Sequence, residues 1–367
     1  MERSRTIRAR GTSFSTSFAE CLRSAGGFGS LSAMLSDTLG RPLRDVRVSV
    51  TDRCNFRCTY CMPRDAYGRD HAFLPREEIL TFEEIERLVR IFAGFGVEKV
   101  RLTGGEPLLR HGLDSLVAMI ADVEGIEDMA LTTNGSTLAR HAVALAEAGL
   151  DRVTVSLDAI DDAQFRAAAD VDFPVARVLE GIDAANDAGL TPIKINAVVR
   201  KGLNEESILD IAGAFRGTGH IVRFIEYMDV GSLNGWQMAD VITADEILAT
   251  IGTEWPLERV EENYPGEVVN RWRYRDGGGE VGVIASVSKP FCGECTRLRL
   301  SADGSIYTCL FGVNGTDLRG PLRAGGTDAE IAALIAGVWE SRSDRYSEER
   351  TGVSIGLPKV EMSYIGG

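Results

Sequence analysis

The chain of 367 residues has no apolar run close to the roughly 20 residues that a membrane-spanning helix needs. Its 7 cysteines are too few for a disulfide-rich secreted scaffold of this length. A formal net charge of -14 disfavours non-specific binding to nucleic acid or anionic membranes. The motif GxxxxGK(S/T) does not occur, so a phosphate ligand would be held by side chains rather than by a P-loop. We therefore expect a globular cytoplasmic protein that is not a switch-type GTPase and binds neither nucleic acid nor membrane.

The first 40 residues differ in composition from the rest of the chain and predict a flexible N-terminal extension. This segment lacks the apolar core of a secretory signal, although an Arg-rich, Ser-rich start is also typical of an organelle transit peptide. Its one cysteine, Cys21, is interpreted as a spare thiol. The first thirty residues contain five arginines but only two acidic residues: Arg3, Arg5, Arg8, Arg10 and Arg23, and Glu2 and Glu20.

From residue 45 onward, short apolar runs alternate with longer helical patterns, which predicts βα units around a parallel sheet. The predicted strands are 45–50, 99–103, 129–133, 152–157, 192–199 and 220–226. Helices are expected near 82–95, 113–122, 137–148, 176–188 and 205–216, the first capped by Thr81 with Glu84. Residues 41–230 thus form one predicted barrel domain. The alternation breaks down later, so residues 231–367 are predicted to form a C-terminal region with a separate site.

The segment Cys54-Asn-Phe-Arg-Cys58-Thr-Tyr-Cys61 places three thiolates on one short loop. Thiolates suit zinc and iron-sulfur clusters, and three of them leave one iron of a cubane free for another ligand. Taken alone, the spacing also permits a zinc site that borrows a fourth ligand. The sequence 104–107, Gly-Gly-Glu-Pro, follows the next predicted strand, where glycines allow close backbone approach and a carboxylate can accept from an amine.

A second group consists of Cys292, Cys295 and Cys309. A structural zinc ribbon is the alternative here, but zinc usually takes four protein ligands, and no further cysteine and none of the 4 histidines lies in this region. The group is therefore interpreted as a second three-cysteine cluster with an open iron. Alternation in the following segment puts Arg297 and Arg299 on one face, as expected for a polyanion site.

Basic residues also interrupt three of the apolar strands, at Arg47, Arg101 and Lys194. Every second side chain of a barrel strand points inward, where a charge is costly unless it is paired or faces a ligand. Each could belong to a structural ion pair. Three such residues on different strands favour a shared anion site.

These motifs together resemble the radical S-adenosylmethionine (SAM) superfamily and, within it, the branch that acts in molybdenum cofactor biosynthesis. The resemblance covers nearly all of residues 42–367. It rests on CNFRCTYCMP, RLTGGEPLLR, LTTNG, VSLDA, FIEYM, the second cysteine group enclosing RLR, and the C-terminal Ser-Tyr-Ile-Gly-Gly. It implies an α/β fold, an incomplete (β/α)6 TIM-type barrel followed by a region with a second cluster.

The resemblance also implies the cofactors, which are SAM and two 4Fe-4S clusters, one on each cysteine group. The open iron of the second cluster would bind the guanine base of GTP. By position, the SAM contacts fall on Tyr60, Gly105, Ser156 and Met228. The GTP contacts fall on Arg47, Arg101, Thr132, Lys194, Arg297 and Arg299, and the C-terminal Gly366 and Gly367 would enter the active site near Arg47.

The implied reaction is a radical cyclisation of GTP that joins C3′ to C8, the first step of molybdopterin synthesis. The implied partners are an unidentified electron donor of the reductase or flavodoxin type, cyclic pyranopterin monophosphate synthase as the next enzyme, and a second copy in a homodimer. Two alternatives stay open: a radical SAM peptide-modifying enzyme with an auxiliary cluster, and a non-enzymatic iron-sulfur or zinc protein.

Overall fold

The computed structural model describes residues 34–264, 266–350 and 358–367. One twelve-stranded sheet runs through this part of the chain in the order β12-β11-β10-β1-β2-β3-β4-β5-β6-β9-β8-β7. The strands are β1 Asp45–Ser49, β2 Lys99–Thr103, β3 Asp128–Thr133, β4 Arg152–Ser156, β5 Lys194–Val199, β6 Ile221–Glu226, β7 Leu257–Val260, β8 Asn270–Tyr274, β9 Glu280–Ile284, β10 Arg297–Leu300, β11 Ser305–Tyr307 and β12 Thr316–Asp317.

Helices connect the parallel strands and cover the outside of the sheet with apolar faces. In the described residues they are α1 Phe82–Gly94, α2 Leu113–Ala121, α3 Leu138–Glu147, α4 Asp162–Ala169, α5 Val175–Asp187, α6 Ser207–Phe215, α7 Ala244–Glu254, α8 Arg319–Arg323, α9 Asp328–Glu340 and α10 Met362–Ile365. No helix in the described ranges is both long and apolar enough to span a bilayer.

The six predicted barrel strands are all present, and each begins and ends within two residues of its predicted bounds. The predicted cap of α1 is confirmed, because Glu84 N donates to Thr81 Oγ1 at 3.2 Å while Thr81 N donates to Glu84 Oε2 at 2.7 Å. The short helix α4 was not predicted. Its apolar residues Phe165, Ala168 and Ala169 are buried, but eight residues are too few for a clear helical period.

Strands β1 to β6 form the parallel sheet of an incomplete barrel, so the predicted fold class is confirmed. Strands from the C-terminal region extend it on both sides, because β9 pairs parallel with β6 and β10 pairs parallel with β1. Residues from both predicted domains thus share one sheet. The division of the chain near residue 230 stays a prediction.

Residues 34–40 fall within the predicted flexible extension but are ordered against the barrel. Ser36 forms a β-bridge with Pro42, and Leu35 and Asp37 are buried. Residues 34–40 therefore belong to the folded part of the chain and not to a flexible extension. The prediction for residues 1–33, including Cys21, falls outside the described residues.

Candidate active site

One cavity in the open barrel is lined by both cysteine groups and by inward-facing residues of the parallel strands. Seventeen predicted site residues lie along its wall: Arg47, Cys54, Cys58, Tyr60, Cys61, Arg101, Gly105, Thr132, Ser156, Lys194, Met228, Cys292, Cys295, Arg297, Arg299, Cys309 and Gly367. The eighteenth, Gly366, reaches the same place through its backbone, because Arg299 Nη1 donates to its carbonyl oxygen. The fold therefore brings residues more than 300 positions apart into one site.

The first cysteine loop is held by backbone bonds and by one arginine. Cys61 N donates to Cys58 O at 2.9 Å, which closes a tight turn between two of the thiols. Arg57 binds the loop from within, since its guanidinium donates to Cys54 O at 2.9 Å and to Tyr67 O at 2.8 Å. The end of α4 supports the other side, because Arg57 N donates to Ala169 O at 3.0 Å. These bonds fix the directions of the three thiols.

The Gly-Gly-Glu-Pro segment packs directly against this loop. Gly105 N donates to Thr51 O and Glu106 N donates to Arg53 O, both at 2.7 Å. A Cβ at Gly105 would lie 2.3 Å from Arg53 O, so only glycine permits this approach. The two glycines therefore serve the contact between two protein segments as well as the approach to a ligand.

The carboxylate of Glu106, which the sequence suggested could accept from an amine, accepts three hydrogen bonds from the protein. It accepts from Thr133 Oγ1 at 2.7 Å, from Asn134 N at 2.7 Å and from Leu108 N at 3.0 Å. Burial raises the pKa of Glu106 to about 7 despite these donors. The residue thus ties the ends of β2 and β3 together below the cysteine loop.

The six cysteines of the site are free thiols. Burial, followed by the charge of Glu106, raises the pKa of Cys54 to about 11, and burial also raises the pKa values of Cys58 and Cys61. Buried thiolates need compensating positive charge, and a coordinated metal supplies it, since coordination deprotonates a thiol outright. A soft set of three thiols facing a cavity therefore fits an iron-sulfur cluster. No three Cys, His, Asp or Glu residues of the described ranges converge as they would on a single metal ion.

A row of cationic side chains crosses the inner face of the barrel. Arg299, Arg47 and Arg101 stand directly opposite one another on β10, β1 and β2. Lys194 on β5 stands opposite Thr154 of β4, and Arg101 Nη1 donates to Thr154 Oγ1 at 3.0 Å. Parallel pairing in this register places all four on the same side of the sheet.

Four of these cations lack an acidic partner within the part of the chain that the structure describes. Arg47, Arg101, Lys194 and Arg299 form no salt bridge there, whereas Arg297 lies 3.6 Å from Asp45. Burial, with neighbouring positive charges, lowers the pKa of Lys194 to about 6 and that of Arg299 to about 10. Cations without an acidic partner are costly in such a place, so their arrangement fits an anionic ligand better than a set of structural ion pairs.

The row formed by Arg299, Arg47, Arg101 and Lys194 is here called the cationic wall. Arg223 on β6 also belongs to it, although the sequence patterns did not single this residue out. It lines the cavity, and burial together with Arg101 lowers its pKa to about 10. Its weak partner is Glu267, 3.7 Å away. The signal was available, since Arg223 interrupts the apolar strand 221–226 as Arg47 interrupts the first.

Tyr60, predicted to contact SAM, is fixed by a buried carboxylate. Its hydroxyl donates to Asp158 Oδ2 at 2.9 Å, while Asp158 Oδ1 accepts from Val198 N at 2.8 Å. Burial raises the pKa of Asp158 to about 6. Ser156 and Met228 lie along the same part of the wall formed by the ends of β4 and β6. These contacts hold the tyrosine ring between the first cysteine loop and the barrel strands.

The C-terminal tail enters the cavity after the short helix α10. Gly366 has φ +74°, and a Cβ there would lie 2.2 Å from Thr103 Cγ2. The tail contacts Arg299, which stands opposite Arg47 in the pairing of β10 with β1. A residue with a side chain could not take this path without displacing β2 or the tail.

Two family models match the chain: Radical SAM superfamily over residues 48–214 and Molybdenum Cofactor Synthesis C over residues 220–348. The fold and the site thus define a radical SAM enzyme with a C-terminal extension.

Curated relatives share most of their length with this chain. They include GTP 3′,8-cyclases of Acidothermus cellulolyticus (55% identical, 91% of this chain, 99% of the relative), Xanthomonas axonopodis pv. citri (52%, 92% and 100%) and Staphylococcus aureus (46%, 91% and 99%). The chain belongs to the GTP 3′,8-cyclase family. The cofactors of such an enzyme are SAM and two 4Fe-4S clusters.

More distant solved structures are also similar in part. One is anSMEcpe with bound AdoMet, 16% identical with a TM-score of 0.44, covering 58% of this chain and 58% of that chain. Another is methylornithine synthase, 16% identical with a TM-score of 0.43, covering 58% of this chain and 62% of that one.

Proposed function

We propose that this chain converts GTP to (8S)-3′,8-cyclo-7,8-dihydroguanosine 5′-triphosphate, the first step of molybdenum cofactor biosynthesis. The observation that carries the proposal is a cavity lined by two cysteine triads and by four cations that form no salt bridge with any residue that the structure describes. A radical generator alone would need one triad. The second triad and the cationic wall together suit a substrate with a base at one end and a polyphosphate at the other.

Cys54, Cys58 and Cys61 would hold the first cluster, and Cys292, Cys295 and Cys309 the second. When bound, the first cluster and SAM would supply the radical chemistry by which C3′ of GTP becomes joined to C8. The protein binds and orients the reactants and excludes water. Tyr60, Gly105, Ser156 and Met228 would contact SAM, next to the first cysteine loop.

The cationic wall would bind the triphosphate. Charge-assisted hydrogen bonds to an anion are stronger than neutral ones, and a guanidinium can donate two of them in parallel. Arg47, Arg101 and Lys194 project from β1, β2 and β5, while Thr132 adds a neutral donor from β3. Arg297 and Arg299 continue the wall to the second cysteine group. The order of these residues along the sheet supports an extended ligand that reaches from the wall to Cys292 and Cys295.

Gly366 and Gly367 would close one side of the site. The tail occupies space beside Arg299 and Thr103 without side chains of its own, which leaves room for the substrate. Its backbone carbonyl also holds the guanidinium of Arg299 in place. We propose that the tail orients the arginines of the cationic wall for cyclisation and is not needed to bind either cluster.

Anaerobic reconstitution followed by incubation with SAM, dithionite and GTP tests this function. We expect about eight irons per chain, as two cubanes require, and a cyclised nucleotide identified by mass and by its hydrolysis product. The matched control is Cys58→Ala, which should form neither 5′-deoxyadenosine nor product. Stoichiometric zinc without iron would instead support the non-enzymatic alternative, and SAM cleavage that never alters GTP would favour a peptide substrate.

We further propose the setting in which the enzyme acts. Free cysteines suit a reducing compartment, which supports the cytoplasm. The electron donor would be a reductase or flavodoxin-type protein, and cyclic pyranopterin monophosphate synthase would take the product. Assembly as a homodimer, and the division into a barrel at 41–230 and a C-terminal region at 231–367, are also proposed. Sedimentation and limited proteolysis of the purified chain would test these last two points.

A further inference from the structure

Three charged side chains form a buried cluster behind the second cysteine group, and we name Asp37, Arg41 and Arg342 the charged triad. Asp37 Oδ2 accepts from Arg41 Nε at 2.6 Å and from Arg342 Nη1 at 3.3 Å. The side chains are only 0%, 2% and 2% exposed, respectively. Two guanidiniums thus share the Asp37 carboxylate, and a second carboxylate, that of Asp344, lies 3.4 Å from Arg342 Nε through its Oδ2.

Both arginines donate to backbone carbonyls of the cysteine loop. Arg41 Nη1 donates to Cys292 O at 2.7 Å, and Arg342 Nη1 donates to Cys295 O at 2.7 Å. These carbonyls stand at the two ends of the single turn that carries the CxxC spacing. The triad therefore holds the loop by hydrogen bonds to the backbone of both cysteines.

Other contacts make the triad rigid. Asp37 Oδ1 accepts from Leu39 N and Arg41 N, both at 2.9 Å. The guanidinium of Arg342 lies 4.5 Å from the centroid of the Trp339 ring. These bonds join the segment before β1, the end of α9 and the cysteine loop.

Some N–H groups of the two arginines take no part in these hydrogen bonds. Arg41 Nη2 is buried and has no hydrogen-bond partner among the described residues, Arg342 Nε has only the 3.4 Å ion-pair contact with Asp344 Oδ2, and both arginines line the cavity. A buried guanidinium N–H group without a hydrogen-bond acceptor is unfavourable, and an anion in the cavity would satisfy it. A cluster held by three thiolates is such an anion, and it becomes more negative when it is reduced.

We propose that the charged triad positions the Cys292–Cys295 loop and raises the reduction potential of the cluster bound there. Cluster potentials depend on local charge, on hydrogen bonds and on solvent exposure. The nearby positive charge stabilises the reduced, more negative state, so the second cluster accepts an electron more readily than it would without the triad. The inference rests on the proposed function, because it takes Cys292, Cys295 and Cys309 as cluster ligands.

Arg342→Gln tests the electrostatic part of this proposal. Glutamine keeps an amide donor for Cys295 O but removes the charge, while Arg342→Lys keeps the charge with a different shape. A redox titration of the reconstituted holoenzyme, followed by electron paramagnetic resonance, measures each cluster separately. We expect a negative shift for the second cluster in Arg342→Gln, a value close to wild type in Arg342→Lys, and no shift of the first cluster.

Arg41→Gln tests the positioning part and guards against a folding defect at position 342. Residues that orient metal ligands typically contribute about 10–100-fold to metal affinity. We therefore expect the second cluster to lose iron to a chelator about 10–100-fold faster, while iron on Cys54, Cys58 and Cys61 is lost at the wild-type rate. The matched control is Arg87→Gln, since Arg87 makes a similar pair of contacts, with Asp328 and Gly326 O, outside the cavity lining.

The outcomes separate this inference from the proposed function. If wild type binds only one cluster, the assignment of Cys292, Cys295 and Cys309 fails, and the inference fails with it. If two clusters form but Arg342→Gln leaves the second potential unchanged, the triad has no electrostatic role and the proposed function stands. Equal negative shifts in Arg342→Gln and Arg342→Lys would show that packing rather than charge is responsible.

Discussion

Gly366→Ala tests the proposed role of the tail in cyclisation, because the structure shows which atoms the added methyl group would contact. Gly366 has φ +74°, in the left-handed region, where an L-residue costs about 1–2 kcal/mol. The new Cβ would lie 2.2 Å from Cγ2 of Thr103, a buried residue on β2. Strand β2 is paired with β1 on one side and with β3 on the other, so the sheet is the less yielding side of this contact. The tail is therefore expected to shift.

The expected size of the effect follows from the bonds that the shift breaks. Arg299 would lose its charge-assisted bond to Gly366 O, worth about 1.5–3 kcal/mol. Together with the backbone cost, the bound position of the tail is destabilised by about 2.5–5 kcal/mol. Since about 1.4 kcal/mol is a factor of ten, the equilibrium for tail binding in the cavity weakens by roughly 60- to 4000-fold, and we expect a loss of cyclisation of up to this size.

Two rates measured on the same reconstituted sample test the reasoning. 5′-Deoxyadenosine reports SAM cleavage, which should continue, and the cyclised nucleotide reports the tail-dependent step. The double variant Gly366→Ala, Thr103→Ser removes Cγ2, so it should recover most of the cyclisation seen with Thr103→Ser alone. Gly189→Ala controls for backbone strain, because Gly189 has φ +84° and nothing within 4 Å of its would-be Cβ.

Full cyclisation by Gly366→Ala would refute the proposed role of the tail. A double variant no better than the single one would show that the contact with Thr103 is not the cause. Parallel loss of SAM cleavage and cyclisation would instead indicate damage to the first cluster.

Three further predictions concern the cavity wall and the second cysteine group. Because burial lowers the pKa of Lys194 to about 6 and a bound triphosphate would raise it, GTP binding should take up a proton and weaken as pH rises above about 6. Calorimetry in buffers of different ionisation enthalpy measures this proton uptake, and Lys194→Met should abolish it; equal uptake by the variant would contradict the reasoning. Arg297→Ala should weaken GTP binding by about 1.5–3 kcal/mol while leaving SAM binding unaltered, as equilibrium dialysis of both ligands would show. Cys292→Ala should still cleave SAM but lose cyclisation, and full cyclase activity in that variant would disprove the second-cluster assignment.

Local patterns in the sequence predicted the six barrel strands and five of the helices because both depend on short-range periodicity. Alternation placed Arg297 and Arg299 on one face, and the structure has both facing the cavity. A charge within an apolar strand singled out Arg47, Arg101 and Lys194, and the same rule applied to the sixth strand would have found Arg223. The helix α4 was missed because its eight residues are too short to show a helical period.

Segments 34–40 and 104–107 make contacts that their local sequence did not predict. Asp37 lies in a stretch that resembles a flexible tail, but its carboxylate is buried between Arg41 and Arg342, which are 4 and 305 positions away. The carboxylate of Glu106 accepts from Thr133 at the end of β3 and from Asn134 directly after it. In both cases the partner is determined by three-dimensional proximity that no local pattern encodes.

The sequence by itself determined the cysteine groups, the βα alternation, the inward-facing basic residues and the glycines of the tail, because each is a property of neighbouring residues. Only the tertiary structure decided that β10 pairs with β1 in the register that puts Arg299 opposite Arg47 and Arg297 opposite Asp45. Pairing between strands some 250 positions apart depends on the curvature of the whole sheet and on which edge strand of the parallel sheet is free to accept a partner. That long-range pairing is what brings the second cysteine group, the cationic wall and the C-terminal glycines to one cavity.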